Sequence, residues 1–544
     1  MAAPGILYVT MQPKPGLPLE QFHEWYNNEH GPTRLRLPQI FANGLRYRAI
    51  DGQEPKFLAS YDITSMPLLE TETYTNLRAN RSPREAETIG QVDVKRYFWD
   101  LVSAKQSPLF LPIEELTDEE AEGLVLVAAE INFKDTADAA EAEAEVRKWY
   151  EEDHVEMISK IPGWLRSRLF RTSSLETAGQ PPSFLVLSEY AKENGLDGEE
   201  HKAARSTPRT KETFSKYADT PSMRRYSLFY VFGPAPRDLE NLSRLEASKS
   251  AFRAGDGKTL TTNDPAPSIS SYVTTKDGLS IPYLLEGNPD PRAPTVAFCN
   301  SLLTSLHMWD PFVAILRAQR PQYRLLRYDA RGRHAVPQPP APATLDMLAD
   351  DLAQVLDALR IPALHALVGV SQGGATALKF ALRHPARLAR FVACDFNAAS
   401  SAANTSAWRE RIAIAEGSPG ISELAAQTVA RWFHPANTAA ARPDLVRWMT
   451  DMVAANDVEG FRYGCQALWD YDMRGAPMRG CAVPGLLVAG EADGKGALVR
   501  AMDAFRADLG PRDGGAELAI VPDAGHLPMC ENPEGFWKAI EKFL

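Results

Sequence analysis

The amino-acid sequence predicts an α/β protein in two parts: two α+β repeats, followed by a larger domain with a mostly parallel sheet. A tryptophan-tyrosine motif recurs in the first half of the chain, at Trp25 and again at Trp149. In the second half, short apolar runs alternate with helical patterns, which is typical of a parallel α/β sheet. A Gly-x-Ser-x-Gly segment around Ser371 stands between one such run and a helical pattern.

Length and composition narrow the class of protein. A chain of 544 residues exceeds what one hydrophobic core usually organises, so several domains are expected. The net charge of −11 argues against nucleic acid as a partner, because phosphate binding needs a basic surface. No signal peptide or membrane span is visible in the sequence.

Cysteine usage and motifs bear on the compartment and on cofactors. The five cysteines show no metal-ligand spacing, and an odd, sparse set indicates reduced thiols. We therefore expect a cytoplasmic protein. No phosphate loop, metal cluster or nucleotide fingerprint occurs, so no cofactor and no metal are expected.

Each repeat carries Trp-Tyr-x-x-acid-His on a predicted helix, ending at His30 and at His154. Apolar alternation and charged helical runs give the order strand, helix, strand, strand, helix, strand in both copies. This is the split β-α-β-β-α-β unit, the ferredoxin-like arrangement. Two tandem copies can cover each other's apolar sheet faces as an intramolecular pseudo-dimeric barrel. We predict the repeats at residues 1–106 and 123–233.

The motif and the element order resemble EthD-like members of the dimeric α/β-barrel superfamily. The resemblance implies polyketide decarboxylation or cyclisation, with His30 and His154 as a candidate second site for acid–base work. The alternative is a packing role, which is favoured for His154, whereas Arg34 and Arg36 in the first copy favour a site there. A third interpretation is an assembly module that joins copies of the chain into a homo-oligomer.

The second half begins after a segment rich in Pro, Gly, Ser and Asp, residues 234–269, which we predict to be a linker. Residues 270–544 form the predicted α/β domain. Within it, a helical stretch of about 398–475 interrupts the alternation and is expected to fold as a cap over the sheet.

The segment around Ser371 has the strand–turn–helix context of a nucleophile on a sharp turn. A serine hydroxyl needs a base to remove its proton and an acid to orient that base. His526 follows a predicted strand near the C-terminus and is the candidate base. Asp493 follows the strand before it and is the preferred acid. Asp395, which ends an earlier strand, is the second choice for the acid.

Acyl transfer also requires two backbone N–H groups directed at the forming oxyanion. The residue after the nucleophile, Gln372, is expected to supply one of them. The loop after an earlier apolar run supplies the other, with Leu302 preferred and Leu303 or Ser301 as alternatives. The charged segment that begins at Arg327 is expected to brace this loop through structural ion pairs.

Residues from about 270 to 544 resemble α/β-hydrolases, and most of all the 3-oxoadipate enol-lactonases. The matching segments are Cys299-Asn300-Ser301-Leu302, Arg327-Tyr328-Asp329-Ala330-Arg331-Gly332, Gly369-Val370-Ser371-Gln372-Gly373-Gly374 and the Gly525-His526 loop. The resemblance implies hydrolysis of a small-molecule ester or lactone by Ser371, His526 and Asp493. Hydrolysis of a C–C bond by the same triad is a variant that stays open.

The predicted cap carries four tryptophans, Trp408, Trp432, Trp448 and Trp469. Taken singly, each is expected to pack between helices. Together they favour an aromatic or polycyclic acyl substrate, as in secondary metabolism. Three cap arginines, Arg409, Arg411 and Arg462, are candidates to hold a carboxylate.

Overall fold

The computed structural model describes residues 3–134, 138–175, 182–510 and 515–544. It divides into two compact units, Met1–Pro234 and Ala235–Leu544.

The first unit is a closed barrel of eight antiparallel strands. The strands are β1 Gly5–Pro13, β2 Leu45–Ala49, β3 Phe57–Ile63, β4 Val92–Gln106, β5 Val125–Asn132, β6 Trp164–Thr172, β7 Ser183–Tyr190 and β8 Ser222–Val231. Their order around the barrel is β1-β3-β2-β8-β5-β7-β6-β4, so each repeat contributes four adjacent strands. The pairs β2–β8 and β4–β6 join the repeats, which removes the free edges that either four-stranded sheet would expose.

Helices follow the first and third strands of each repeat, in the predicted order. Those of the first repeat are Leu19–Trp25, Tyr26–His30, Gly31–Leu35, Met66–Glu70, Glu72–Ala79 and Pro83–Gly90. The short helix Asp118–Ala121 precedes the second repeat, whose helices are Ala139–Trp149, Tyr150–His154, Val155–Ile158, Glu199–Ala204 and Pro208–Lys216. In both repeats the motif tyrosine and histidine begin and end a π-helical turn.

Strand alternation divides the apolar side chains of the barrel between two layers. Ile6, Leu58 and Leu126 belong to a cluster that draws on strands of both repeats. Leu7 and Trp25 belong to a separate cluster formed by the first repeat's strands and helices. Successive residues of a strand point to opposite faces, so one strand supplies both layers.

The second unit contains a ten-stranded sheet with the order β18-β17-β16-β15-β13-β14-β12-β11-β10-β9. The strands are β9 Phe252–Arg253, β10 Leu260–Asn263, β11 Pro267–Thr274, β12 Ser280–Gly287, β13 Thr295–Cys299, β14 Arg324–Tyr328, β15 Ala366–Val370, β16 Phe391–Cys394, β17 Gly485–Gly490 and β18 Glu517–Val521. The pairings among β13 to β18 are parallel, and those among β9 to β12 and of β12 with β14 are antiparallel.

The predicted linker over 234–269 is corrected by the structure. This segment belongs to the second unit, where β9 pairs with β10 and β10 pairs with β11 at one edge of the sheet. The short helix Leu239–Ser243 packs beside them and buries Leu239 and Leu242 in the core. Turn-forming residues in the segment therefore separate short strands, because Gly and Pro mark hairpin turns as readily as flexible linkers.

Helices cover both faces of the sheet, and four of them form the insertion between β16 and β17. The helices outside the insertion are Leu239–Ser243, Ala247–Ser250, Leu306–Trp309, Asp310–Gln319, Leu345–Ala358, Gln372–Arg383, Pro385–Arg387, Ala476–Arg479, Asp493–Gly496, Ala497–Arg506, Pro528–Glu531 and Pro533–Ile540. The insertion contains Ala402–Glu416, Ile421–Trp432, Pro443–Ala454 and Val458–Cys465, with the short turn Gln466–Leu468 after them. A bridge between Ala399 and Asp472 joins its two ends.

Across the part of the chain that the structure describes, no helix combines the length and the apolar character needed to cross a bilayer.

Candidate active site

The predicted site residues follow neighbouring parallel strands at the same edge of the sheet. Ser371 comes directly after β15, Asp493 shortly after β17 and His526 shortly after β18. Because parallel strands present their carboxyl ends together, these three loops converge. Side chains more than 150 residues apart in sequence are thereby brought to one edge.

Ser371 sits in a strained backbone conformation with φ 58° and ψ −118°. Its N–H donates to the Cys394 carbonyl at 2.8 Å, which holds the turn against β16. The flanking glycines are required by close backbone approach. A Cβ on Gly369 would lie 2.0 Å from the Gly373 carbonyl oxygen, and one on Gly373 would lie 2.1 Å from that of Cys299. Strain of this kind at a partly buried serine between a strand and a helix is typical of a functional turn.

His526 and Asp493 form a hydrogen-bonded pair. His526 Nδ1 lies 2.7 Å from Asp493 Oδ2, and both side chains are mostly buried. Since Asp493 engages Nδ1, the other ring nitrogen, Nε2, is left to exchange a proton with a substrate or nucleophile. The Ser371 hydroxyl and the His526 ring are not hydrogen-bonded to each other in the described residues. Such contacts often tighten only when substrate binds.

The His526 ring is held from the cap side by Trp432. The two rings are stacked, with centroids 5.6 Å apart and an interplanar angle of 25°. The backbone N–H of His526 also donates to the Trp432 carbonyl at 2.6 Å. Trp432 is buried at the end of the helix Ile421–Trp432, so the cap contributes directly to the position of the imidazole.

The pKa values of the two candidate acids are shifted in opposite directions. Burial by itself raises the pKa of Asp493, but the charge and hydrogen bond of His526 hold it below its ordinary value. Burial and the neighbouring charge of Asp493 raise the pKa of Asp395 well above its ordinary value. Asp395 Oδ1 accepts a hydrogen bond from the backbone N–H of Gly490 at 2.9 Å, and the Asp395 side chain also interacts with Asp493. The geometry thus pairs His526 with the preferred acid.

A third carboxyl group, which sequence reasoning missed, organises the histidine loop. Glu531 is buried and accepts hydrogen bonds from the N–H of Gly525 at 2.9 Å and of His434 at 2.6 Å. The Asn437 amide donates to the same carboxylate at 2.9 Å. Glu531 therefore links the residue before His526 to the segment that follows Trp432. Glu531 ends the short helix Pro528–Glu531, and no sequence motif there marks it as a functional residue.

The two predicted oxyanion donors, Gln372 and Leu302, follow β15 and β13 respectively. Gln372 is the first residue of the helix Gln372–Arg383, and the N–H groups of a first helical turn have no partner within the helix. Among the described residues, the Leu302 N–H also has no hydrogen-bond acceptor. The Gln372 side chain donates to the Gly464 carbonyl at 2.8 Å, which fixes the nucleophile turn to the cap.

The loop that carries Leu302 is braced by the segment after β14. The Asn300 amide donates to the Tyr328 carbonyl at 3.0 Å and to Asp329 at 3.2 Å. Asp329 also accepts from the Leu306 N–H at 2.6 Å and pairs with His334 at 2.6 Å. These polar contacts brace the loop, and oxyanion stabilisation requires donors that are held in place before the reaction.

The other charged residues of that segment form structural pairs. The Arg331 guanidinium binds Asp351 through two contacts of 2.6 Å, and both side chains are almost fully buried. Arg331 also contacts Asp277 and the Tyr463 hydroxyl, each at 3.0 Å. Arg327 pairs with Glu286 at 2.5 Å.

The cap arginines are not equivalent. Arg462 is exposed and pairs with Glu416 at 3.1 Å. Arg409 lies over the Trp469 ring at 5.5 Å, and Arg411 lies over the Trp408 ring at 4.5 Å.

A further cap arginine, Arg431, was missed as a candidate. Burial and the positive charge of Arg411 lower the pKa of Arg431 to about 10, while the charge of Asp493 opposes this shift. Arg431 is therefore within electrostatic range of both Arg411 and Asp493. The tryptophans of the cap pack into the apolar cluster on that side of the sheet.

The motif histidines of the first unit have different surroundings. His30 Nδ1 lies 2.7 Å from Glu85 Oε1, and both groups are buried. Burial lowers the pKa of His30 to about 3. His154 stacks on Trp149 with ring centroids 4.5 Å apart, and burial lowers its pKa to about 4.

A sheet whose six strands β13 to β18 are parallel, a serine on a strained strand–helix turn and an acid–histidine pair on later loops of the same sheet edge define an α/β-hydrolase. The family model for the α/β hydrolase fold matches residues 294–533. The chain belongs to this family, and its second unit is the hydrolase domain of an enzyme. The prediction of this fold for the C-terminal half is confirmed.

Two curated relatives cover almost the whole of that domain. The chain is 30% identical to 3-oxoadipate enol-lactonase 1 of Acinetobacter baylyi over 275 residues, which is 51% of this chain and 97% of the relative. It is 30% identical to 3-oxoadipate enol-lactonase 2 of the same organism over 280 residues, or 52% and 98%. A solved enol-lactonase from Burkholderia xenovorans is 29% identical, covers 50% of this chain and 98% of its own, and gives a TM-score of 0.44.

Proposed function

We propose that the second unit hydrolyses a small-molecule ester or lactone through a covalent acyl-enzyme on Ser371. The observation that carries the proposal is the His526–Asp493 pair, 2.7 Å apart on the loops beside the strained Ser371 turn. The enol-lactonase names of the two Acinetobacter relatives support a cyclic ester as the substrate class.

In the proposed first step the Ser371 hydroxyl oxygen attacks the carbonyl carbon, and its proton passes to His526 Nε2. The carbonyl oxygen becomes an oxyanion, which accepts hydrogen bonds from the Leu302 and Gln372 N–H groups. Asp493 keeps the imidazole in the tautomer that presents Nε2 and stabilises the imidazolium. Collapse of the intermediate breaks the ester C–O bond, and His526 returns the proton to the leaving oxygen.

In the second step a water molecule attacks the acyl group while His526 Nε2 takes its proton. The Ser371–acyl bond breaks, the proton returns to Ser371 and the carboxylic acid leaves. For a lactone, the leaving oxygen and the acid belong to one product, so ring opening occurs in the first step and release in the second. C–C bond hydrolysis would need a carbon leaving group to be protonated, and no observation favours it.

The cap supports a substrate that carries a carboxylate and an apolar part. Arg431 supplies positive charge within electrostatic range of Asp493, and it directly precedes Trp432, which stacks on His526. Trp432, Trp408 and Trp469 supply aromatic surface on the same side. An acyl group with these two features fits the secondary-metabolite substrate that the tryptophan content predicts.

For the first unit, the resemblance to EthD-like proteins and the ferredoxin-like description of its repeats remain proposals. The observed barrel and element order are consistent with both. Decarboxylation or cyclisation at His30 is not supported further, because this imidazole is bound to Glu85 in a region with little free volume.

The proposal is tested with Ser371→Ala, assayed on dihydrocoumarin as a lactone and p-nitrophenyl acetate as an ester. Turnover should fall by about 10⁴-fold or more. A fluorophosphonate should label the native protein but not the variant, as read by intact mass. Ser422→Ala, on an exposed position of a cap helix, is the matched control and should retain both properties. Retained turnover and labelling in Ser371→Ala would refute the proposal.

A further inference from the structure

The second repeat of the first unit contains a cavity of about 260 Å³ between its strands and its helices. This volume approaches the lower end of the range for small-molecule pockets, about 300–1,000 Å³. The wall is mostly apolar and aromatic, with main contributions from Trp149, Phe214, Ile158, Val186, Met223 and Tyr190. Such a wall favours a ligand with a flat hydrophobic body.

The corresponding region of the first repeat is filled. Its cavity measures about 10 Å³ and its lining includes His30, Arg34 and Tyr61. The Arg34 guanidinium donates to the His30 carbonyl at 2.6 Å, and the Tyr61 ring stacks on Phe232 with centroids 5.8 Å apart. Large side chains that bind one another occupy the space a ligand would need. The first copy, which Arg34 and Arg36 favoured as the site, is therefore the closed one.

Differences in sequence between the repeats explain why only the second is open. Ser-Pro-Arg-Glu before the last strand of the first repeat corresponds to Thr-Pro-Arg-Thr in the second. Four residues after each motif histidine, an arginine is exchanged for an isoleucine. Four residues into the matched Phe-Leu strand segments, a tyrosine is exchanged for a serine. In the second repeat, Thr210 stands where the first has Glu85, Ile158 where it has Arg34, and Ser188 where it has Tyr61. Each replaces a long side chain with a shorter one, and two of them remove a charge.

Two neutral imidazoles line the open cavity. His154 Nδ1 is buried and has no hydrogen-bond partner among the described residues. His201 Nδ1 accepts the Asp197 N–H at 3.0 Å, so its proton resides on the other nitrogen. A buried polar atom without a partner is costly, and a bound polar group would satisfy it.

The charges that line the cavity are all positive. Arg205 and Lys211 belong to the lining and are exposed to solvent, and neither has a carboxylate within ion-pair distance in the described part of the chain. Arg205 interacts electrostatically with Asp197, whose carboxylate is bound by Arg225 at 2.5 and 2.6 Å. No Asp or Glu is among the described lining residues. Two unpaired cations beside an apolar cavity favour an anionic ligand.

We propose that this cavity is a second binding site, specific for a small aromatic or otherwise flat carboxylate. The hydrophobic body lies against Trp149 and Phe214, the carboxylate faces Arg205 and Lys211, and a polar substituent reaches His154. The site is independent of the proposed hydrolysis, because none of its residues belongs to the second unit.

The test is isothermal titration of the full-length protein with 2-naphthoate and with its neutral analogue 2-naphthamide. The native protein should bind the carboxylate about tenfold more tightly than the amide. In the double variant Arg205→Gln, Lys211→Gln this preference should disappear while the amide still binds. Lys216→Gln removes the same charge from the same helix outside the cavity and should leave both affinities unchanged.

Two variants that fill the cavity, Val186→Phe and Ala129→Met, should each abolish binding of both probes. Either one suffices if the other fails to fold, as judged by thermal melting. Failure of the native protein to bind 2-naphthoate at millimolar concentration, or equal affinities for the two probes, would overturn the proposal. Ser371→Ala should still bind 2-naphthoate, and the double variant should still hydrolyse dihydrocoumarin, so the two proposals fail separately.

Discussion

His526 Nδ1 lies 2.7 Å from Asp493 Oδ2, whereas the second acid at this sheet edge, Asp395, is hydrogen-bonded to the backbone of Gly490. The pKa of Asp493 is held below its ordinary value by His526, and burial raises that of Asp395. The environment thus favours the ionised form of the carboxyl group next to the imidazole and the protonated form of the other.

Asp493→Asn should lower kcat on dihydrocoumarin by about 10³–10⁴-fold, because an amide cannot stabilise the imidazolium or hold the required tautomer. Asp395→Asn keeps the shape of the side chain and an oxygen that can accept the hydrogen bond from the Gly490 N–H, so it should change kcat by less than about fivefold. Steady-state kinetics of both variants provide the measurement. The reverse ranking would assign the acid role to Asp395.

Glu531→Ala should reduce both stability and turnover. The substitution leaves the buried N–H groups of Gly525 and His434 without acceptors, at a cost of about 1–3 kcal/mol for each unsatisfied group. Urea unfolding should show the loss, and kcat should fall because the His526 loop is less ordered. Glu491→Ala is the control, since Glu491 makes only a 3.3 Å contact with the Asp523 N–H on a neighbouring loop. Equal effects in both variants would argue against a specific role for Glu531.

Arg331→Met should lower the free energy of unfolding by about 3–5 kcal/mol, because Asp351 is left as a buried, unpaired carboxylate. Replacing both partners, Arg331→Met with Asp351→Leu, should recover most of this loss. Arg383→Met breaks an exposed pair with Asp350 and should cost about 0–1 kcal/mol. A double variant no more stable than Arg331→Met would contradict the explanation.

The stability of the first unit should depend on Glu29 between about pH 4.5 and pH 7. Burial raises the pKa of Glu29 to about 7, despite a 2.6 Å hydrogen bond from Ser82. In this window the folded state retains a proton that the unfolded chain has released, so the contribution of Glu29 to stability falls as pH rises. Glu29→Gln removes the titrating group.

The melting temperature of Glu29→Gln relative to the native protein should therefore increase from pH 5 to pH 8 in calorimetry. Taking the difference between the two proteins cancels the other titrating groups, His30 among them. Glu72→Gln, at an exposed position in the same repeat, should show a difference that does not vary with pH. A pH-independent difference for Glu29→Gln would exclude the buried-carboxylate explanation.

Much of the site was predictable because its pieces are local. Ser371 stands in a motif whose glycines are required by close backbone contacts. His526 and Asp493 each follow an apolar strand by a few residues. These loops are expected at one edge of the sheet whatever the strand order, since parallel strands align their carboxyl ends. Glu531 and Arg431 were missed because they act on the site through contacts with other loops, and no spacing rule marks such residues.

The repeat motif shows what local sequence patterns cannot predict. Trp-Tyr-x-x-acid-His was recognisable in both copies, and the sequence alone determined the internal repeat, the α/β class of the second half and the candidate triad. Only the tertiary structure decided which copy is open, that residues 234–269 add strands to the sheet, and that His526 faces Asp493 with Trp432 against its ring. These outcomes depend on side chains that meet from distant segments, because packing density and hydrogen bonding are set by the neighbours a residue acquires on folding.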